Sequence, residues 1–431
     1  MKLPVFRPLK GMRDFPPGKA ELMKYIEEEA RKVAGLYGYR EIMTPVLESY
    51  ELLAAKSGEE IRSRMYAFED LGGRKVALRY EFTSSVARLV ADTFRTEPKP
   101  LRLFCVGSLY RYDEPQYGRF REFWQSNYEL MGSRMPEADA EIIMLTNSLM
   151  KNVGLENVLF KVGHVGVLRS IFRQEGIEDG MQNSAMHLMD KKDYKNALKL
   201  IKGAGASDKC LDTLTALVKI EGKEPFEVSE RMEEQVETYE KAAGAVRNLT
   251  EILELTLKTE ENIDISVEAG FARGLEYYTG IIFEIYVPEM EIALGGGGRY
   301  DKLIELFGGE STPAVGVAHG LDRMMLALEK QKNVFEKKEK VMVAVIPIED
   351  HLKKKALKIS QMLREADISV RVEVMGRKLT SSLQDADKRK TDYAIILGER
   401  ELGESSVVLR DFKNREQKIV RINDIIDEIR T

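Results

Sequence analysis

Phe123, Gln125, Asn127 and Glu129 occupy alternate positions of one segment, and on a strand that spacing puts all four side chains on one face. Three polar groups and a ring make a poor core surface and a good floor for a polar ligand. A solvent-facing sheet would give the same alternation. A neighbouring segment offers Cys105, Gly107, Leu109 and Arg111 on one face, where Gly107 would let a ligand approach closely. Between the two lies a polar loop, residues 113–121, so Arg111, Arg119 and Arg121 bracket a hairpin. Arginine forks grip phosphate oxygens bidentately and stay charged at any working pH. A solvated basic loop accounts for the same three residues.

Two further strings are unusual. Residues 273–280 (RGLEYYTG) interrupt the approach to a strand with an arginine, two tyrosines and two glycines, and four successive glycines at 295–298 lead into Arg299-Tyr300-Asp301. Glycines there permit tight turns or close backbone approach, and four exceed what a plain hairpin turn needs. Residues 316–328 run from small residues into a helix with Arg323 near its start, where a helix N-terminus favours anions; a buried helix with a surface arginine is the plainer alternative. There is no GxxxxGK[ST] or GxGxxG loop, no HExxH and no paired CxxC. His164, His187, His319 and His351 are too scattered to suggest a metal centre. A nucleotide, if one is used, must be held by another architecture.

The elements that must position these residues fall into four blocks. The chain has 431 residues, which as a soft prior means about three domains. The first block, 1–165, opens with a helical pattern at 18–36 that ends at the turn signal Tyr37-Gly38-Tyr39. Residues 40–46 alternate as a strand, with Pro45 marking an edge or interface, and 101–111 and 122–131 read as two strands. Residues 166–255 are rich in Lys, Glu, Met and Leu at helical spacing, broken at 203–207, and read as a small helical insertion. Residues 256–330 return to a strand at 280–287, then helices from about Tyr300 and near Gly320. A charged linker, 331–340, precedes 341–431. There, strands at 341–348, 369–374 and 393–397 alternate with helices at 351–366 and 379–388, the pattern of a small sheet with helices on its faces.

Bulk composition narrows the class. Hydrophobic residues at 43% and charged ones at 32% fit a soluble globular protein. A net charge of −5 counts weakly against nucleic-acid binding but leaves room for local basic patches. No apolar run nears the roughly 18 residues of a membrane helix, and the first residues lack a signal-peptide pattern. Two distant cysteines, Cys105 and Cys210, fit a reducing cytoplasm.

Taken together the strings resemble those of class II aminoacyl-tRNA synthetases. Residues 109–123 look like the strand-loop-strand motif with its arginine, 316–323 like the motif that runs into an arginine-bearing helix, and 21–45 like the helix-strand motif at the dimer interface. RGLEYYTG at 273–280, GGGRYDKL at 296–303, Arg79-Tyr80-Glu81-Phe82-Thr83 and the pair Gln125 and Glu129 resemble, more narrowly, signatures of histidyl-tRNA synthetases. The resemblance implies an antiparallel class II catalytic core with flanking helices, formed by 1–165 and 256–330, a helical insertion at 166–255 and an anticodon-binding α/β domain at 341–431.

The same resemblance assigns roles. Arg111, Arg119 and Arg323 would hold ATP, with Phe123 stacked on adenine. Glu81, Thr83 and Gln125 would hold the ammonium of L-histidine, and Glu129 and Tyr278, with Tyr277 nearby, would read its imidazole. Arg273 would sit at the α-phosphate and the substrate carboxylate, and Gly296 and Gly298 would floor the pocket. Arg111 and Arg273 would be the catalytic pair, with Mg²⁺ on ATP held by ligands the sequence does not name. The implied partners are tRNA(His) and a second copy of the chain. Lys353-Lys354-Lys355 and Lys388-Arg389-Lys390 would be RNA contacts, and 57–67 and 113–121 would order on ligand binding. The chain departs from the pattern at Tyr80, where many members have proline, and at Asp113, often glutamate. A histidine-sensing regulatory paralogue and another class II synthetase are the competing readings. The first lacks the C-terminal domain and usually the arginines, and the second lacks the double-tyrosine string.

Overall fold

A nine-stranded sheet frames the larger of two units, Met1–Val334, of the computed structural model; the smaller is Phe335–Thr431. Residues 6–55, 57–260, 262–272, 277–333 and 341–430 are described. Across the large sheet the strands run in the order Arg40–Glu41, Leu101–Tyr110, Glu122–Met131, Ala314–Gly320, Gly295–Arg299, Ile281–Tyr286, Leu159–His164, Asp264–Glu268 and Glu221–Gly222. The run from Leu101–Tyr110 to Leu159–His164 is antiparallel throughout.

Register turns the sequence alternation into two different surfaces. Gln125 lies between Gly107 and Gly320, Asn127 between Cys105 and Ala318, and Glu129 between Leu103 and Gly316, with Gly296 and Gly298 opposite Ala318 and Gly316 one strand further. Paired residues point to the same face of a sheet, so on the Ala314–Gly320 side small residues flank the polar row and leave room beside it. The other face is core. There Tyr128 packs on Phe104, at 4.8 Å between centroids, and donates to the carbonyl of Ala30 at 2.8 Å. Ala30 belongs to the helix Pro17–Leu36, which starts with proline in its first turn and buries Met23, Ile26, Ala30, Val33 and Ala34, spaced three or four apart apart from the adjacent final pair.

Two expectations change. Of the strand expected at 40–46 only Arg40–Glu41 forms, at the edge of the large sheet; the next strand, Leu47–Ser49, begins beyond it and belongs to a three-stranded sheet. Pro45 lies between them and has no N–H for a ladder. The glycine run is itself a strand, Gly295–Arg299, inside the sheet, and the following helix is short and begins at Leu303. The helices from Val165–Gln174 to Glu240–Thr259 connect the parallel neighbours Leu159–His164 and Asp264–Glu268, and their buried side chains share one hydrophobic cluster with the sheet. The break at 203–207 ends in a cap: Ser207 Oγ accepts from the Cys210 amide at 3.1 Å. Residues 334–340 of the expected linker lie outside the described residues.

In the smaller unit the order is Ser369–Val372, Met342–Pro347, Tyr393–Leu397, Ser406–Asp411 and Gln417–Arg421, the first three parallel and the rest antiparallel. Val343, Val345, Ile395 and Leu397 pack with Ile359 and Leu363 of the helix Lys353–Glu365. Ala344, Ile346 and Ala394 pack with Ala386 of Leu379–Lys388. The last two strands escaped the sequence reading. No described helix is long and apolar enough to cross a membrane.

Candidate active site

Over the polar row lies a cleft of about 230 Å³. Gln125, Glu129 and Gly296 form part of its floor; Glu81, Thr83, Tyr277 and Tyr278 line it; so do Arg111, Arg119, Phe123 and Arg323. Gly298 is not on the cleft wall: a Cβ there would meet the Ile281 carbonyl at 2.5 Å, the Ile282 side chain at 2.9 Å and the Tyr278 ring at 3.0 Å, so the strand packs there only without a side chain. Arg273 lies outside the described residues, as does the rest of 273–276.

The deep end is closed around two carboxylates. Glu129 is 1% exposed. It accepts from Asn127 Nδ2 at 2.9 Å and from the hydroxyl of Tyr300, itself fully buried. Burial pushes its carboxyl up to about 7 against the opposing effect of those bonds and one from Thr83. Glu81 accepts from Ser84 Oγ at 2.6 Å and from the Tyr277 hydroxyl at 3.3 Å, and burial raises it too, opposed by Ser84 and by the charge of Arg111. Gly316 is needed at this end: any Cβ would run into the Glu129 carboxylate.

The other end is cationic and more open. Arg111 directly follows the strand Leu101–Tyr110, donates from Nε to the Tyr80 carbonyl at 3.1 Å and lies 5.1 Å from the Phe123 centroid. Arg323, in the first turn of Leu321–Gln331, donates to the Gly118 carbonyl at 3.1 Å and the Ala293 carbonyl at 2.6 Å. Backbone carbonyls thus aim both guanidiniums. Arg119 stands exposed at the mouth and also lines an adjoining groove beside the helix Asp179–Asp190.

The structure redirects two sequence inferences. Arg121 turns away from the cleft, donating to the Asp113 carbonyl at 3.0 Å and stacking 3.8 Å from the Tyr112 centroid, so it staples the loop. The space over Gly107 is taken by Arg79, whose Nη2 would sit 3.1 Å from a Cβ there. Sequence reasoning missed Tyr300 as the partner of Glu129, Ser84 as that of Glu81, and Asp322, which lines the cleft and accepts from the Trp124 amide at 2.6 Å. The tyrosine after the glycine run was the available signal for Tyr300.

An antiparallel sheet with a hairpin arginine and a helix-start arginine facing one cleft is the catalytic architecture of a class II synthetase, joined here to a small α/β unit. The model of the family "Histidyl-tRNA synthetase" matches residues 11–324, and that of "Anticodon binding domain" matches 342–431. Histidine–tRNA ligase of Methanocaldococcus jannaschii is 39% identical over 421 residues, covering 98% of this chain and 99% of the relative. That of Pyrococcus furiosus is 38% identical, covering 97% of each. Histidyl-tRNA synthetase from Nostoc shares the fold with a TM-score of 0.78 at 23% identity over 99% of both chains. The chain belongs to the histidyl-tRNA synthetase family.

Proposed function

We infer that the chain is a histidine–tRNA ligase: it activates L-histidine with ATP and transfers the histidyl group to tRNA(His). The observation that carries this reading is one cleft with buried carboxylates at one end and carbonyl-aimed arginines at the other. In the first step a carboxylate oxygen of histidine bonds to the α-phosphorus of ATP and the bond to pyrophosphate breaks. Negative charge builds on phosphoryl oxygens, and fixed cations in a partly water-excluded site stabilise it without a protein nucleophile. In the second step a hydroxyl of the terminal ribose attacks the histidyl carbonyl and AMP leaves.

Chemistry, and for the described residues a place on the cleft, support the following roles. Arg111 and Arg323 hold the phosphates, with Arg119 at the mouth, and Phe123 carries the adenine. Glu81, Thr83 and Gln125 take the ammonium. Glu129 with Tyr278 and Tyr277 reads the imidazole, which donates and accepts hydrogen bonds. Arg273, which lies outside the described residues, is assigned to the α-phosphate and the substrate carboxylate on its motif alone, and Arg273→Ala is expected to nearly abolish adenylate formation, measured by ATP–pyrophosphate exchange, while leaving the fold intact. Mg²⁺ would be held by phosphate oxygens of ATP, waters and one or two carboxylates. Asp113 and Glu284 line the cleft and would complete its shell, and the ion supplies charge neutralisation on the phosphates.

Met43, at 89% exposed, with Val46 and Leu47 nearby, gives the first region an apolar surface suited to a homodimer interface. Exposed Lys353-Lys354-Lys355 and Lys388-Arg389-Lys390 are proposed contacts for tRNA. A cytoplasmic location accords with buried thiols at Cys105 and Cys210. The regulatory reading is not favoured, because the arginines and the C-terminal unit are both kept.

The test is ATP–pyrophosphate exchange with each of the twenty amino acids, without tRNA. Exchange with histidine alone is expected. Exchange with another amino acid overturns the pocket assignment, and histidine binding without exchange turns the reading to a sensor.

A further inference from the structure

We propose that Arg13 is a positioning residue for adenylate formation, acting through Asp322 to hold the strand that carries Phe123 and Gln125. The inference rests on the reading of the cleft as an ATP and histidine site. Residues 10–15 form a strap over the hairpin. The Arg121 amide donates to the Gly11 carbonyl at 2.9 Å, Lys10 pairs with Glu114 at 3.0 Å, and the Phe15 ring meets Trp124 edge-on at 5.4 Å. Gly11 has φ +84°, and a Cβ there would come within 2.6 Å of Arg121, so the strap lies too close for any other residue. Arg13 places its guanidinium over the rings of Phe120, at 3.3 Å, and Phe15, at 4.8 Å, and pairs with Asp322.

Asp322 is the hub. The ladder between Glu122–Met131 and Ala314–Gly320 ends at the pair Gln125 and Gly320, after which the second chain turns into its helix. The Trp124 amide therefore meets the first helical turn instead of a strand, and the Asp322 carboxylate accepts its proton at 2.6 Å. The flanking residues Phe123 and Gln125 both line the cleft, and Arg323 follows Asp322 in sequence. Asp322 is 3% exposed; burial raises its carboxyl and Arg13 is the main opposing charge. Without that cation the carboxylate takes up a proton or water, its bond to Trp124 weakens, and the adenine platform drifts. Misplacement by about 1 Å costs rates heavily when two reactants must be aligned. Arg13 itself is not on the cleft wall.

A double-mutant cycle in the full chain tests this, with Arg13→Gln, Asp322→Asn and both together. ATP–pyrophosphate exchange reports kcat and the two KM values, and thermal melting reports folding. Arg13→Gln is expected to raise the ATP KM about tenfold while the histidine KM moves less than about threefold, because Gln125 keeps its ladder pairing with Gly320 and Glu81, Thr83 and Glu129 keep their places. Asparagine keeps an acceptor for Trp124 and removes the uncompensated charge, so the double variant is expected to fold and to be no worse than Asp322→Asn alone. Additive losses, equal shifts in both KM values, or an unchanged ATP KM in Arg13→Gln would overturn the proposal. Absence of histidine-dependent exchange in the unaltered chain would overturn the underlying reading instead.

Discussion

The two ends of the cleft solve opposite electrostatic problems. At the deep end Glu81 and Glu129 are held out of water, and hydrogen bonds from Ser84, Tyr277, Asn127 and Tyr300 partly offset the cost of their charge. At the open end Arg111 and Arg323 are partly solvated and are aimed by backbone carbonyls. A buried, hydrogen-bonded carboxylate discriminates, because a ligand lacking the right donor leaves it unpaired at high cost. A half-solvated arginine discriminates little and instead stabilises charge wherever it develops. Selectivity should therefore sit at one end and rate at the other.

The contrast breaks most visibly at Glu129. Glu129→Ala is expected to lower kcat/KM for histidine by roughly 10⁴-fold, since a site built to bond a polar group loses its partner. Exchange assays at saturating ATP measure it; a loss below tenfold would put imidazole recognition elsewhere. Arg111→Ala is expected to cut kcat by roughly 10²- to 10³-fold while histidine binding, measured by equilibrium dialysis, stays nearly constant. A matching loss of histidine affinity would mean that the two ends are not separable. Tyr300→Phe removes one donor to Glu129 and is expected to raise the histidine KM about tenfold, in line with a hydrogen bond to a charged group. An unchanged KM would make Tyr300 a packing residue only.

What the sequence discloses differs between the ends for a physical reason. Phe123, Gln125, Asn127 and Glu129 stand out because a strand repeats every second residue, and polar residues on that period are conspicuous. Arg111 and Arg323 are legible through the motifs around them. Tyr300 as the partner of Glu129, 171 residues away, and Arg13 as that of Asp322, 309 residues away, exist only after the sheet has assembled. The glycine strand has no side chains and so no alternation to read. Ser406–Asp411 and Gln417–Arg421 are short strands, the second largely exposed, so burial leaves only a faint pattern there. The end of one strand at Glu41 and the start of another at Leu47, in a different sheet, depend on partners far along the chain.

The smallest effect tests the cause of the deep end's character. Burial raises the Glu129 carboxyl from 4.5 to about 7. Below about pH 4.5 the group is protonated in both folded and unfolded chains and contributes no pH dependence. Between about 4.5 and 7 the folded chain keeps a proton that the unfolded chain releases, so stability falls as pH rises through that window and stays lowered above it. Glu129→Gln keeps the shape and cannot ionise. Relative to the unaltered chain it should therefore gain stability on going from pH 5 to pH 8, by up to ~3 kcal/mol at 1.36 kcal/mol per pH unit. Denaturant unfolding of the ligand-free proteins at the two pH values measures the gap. A gap that stays constant would mean that Glu129 ionises freely in the empty site, and the division between a desolvated end and a solvated one would lose its electrostatic basis.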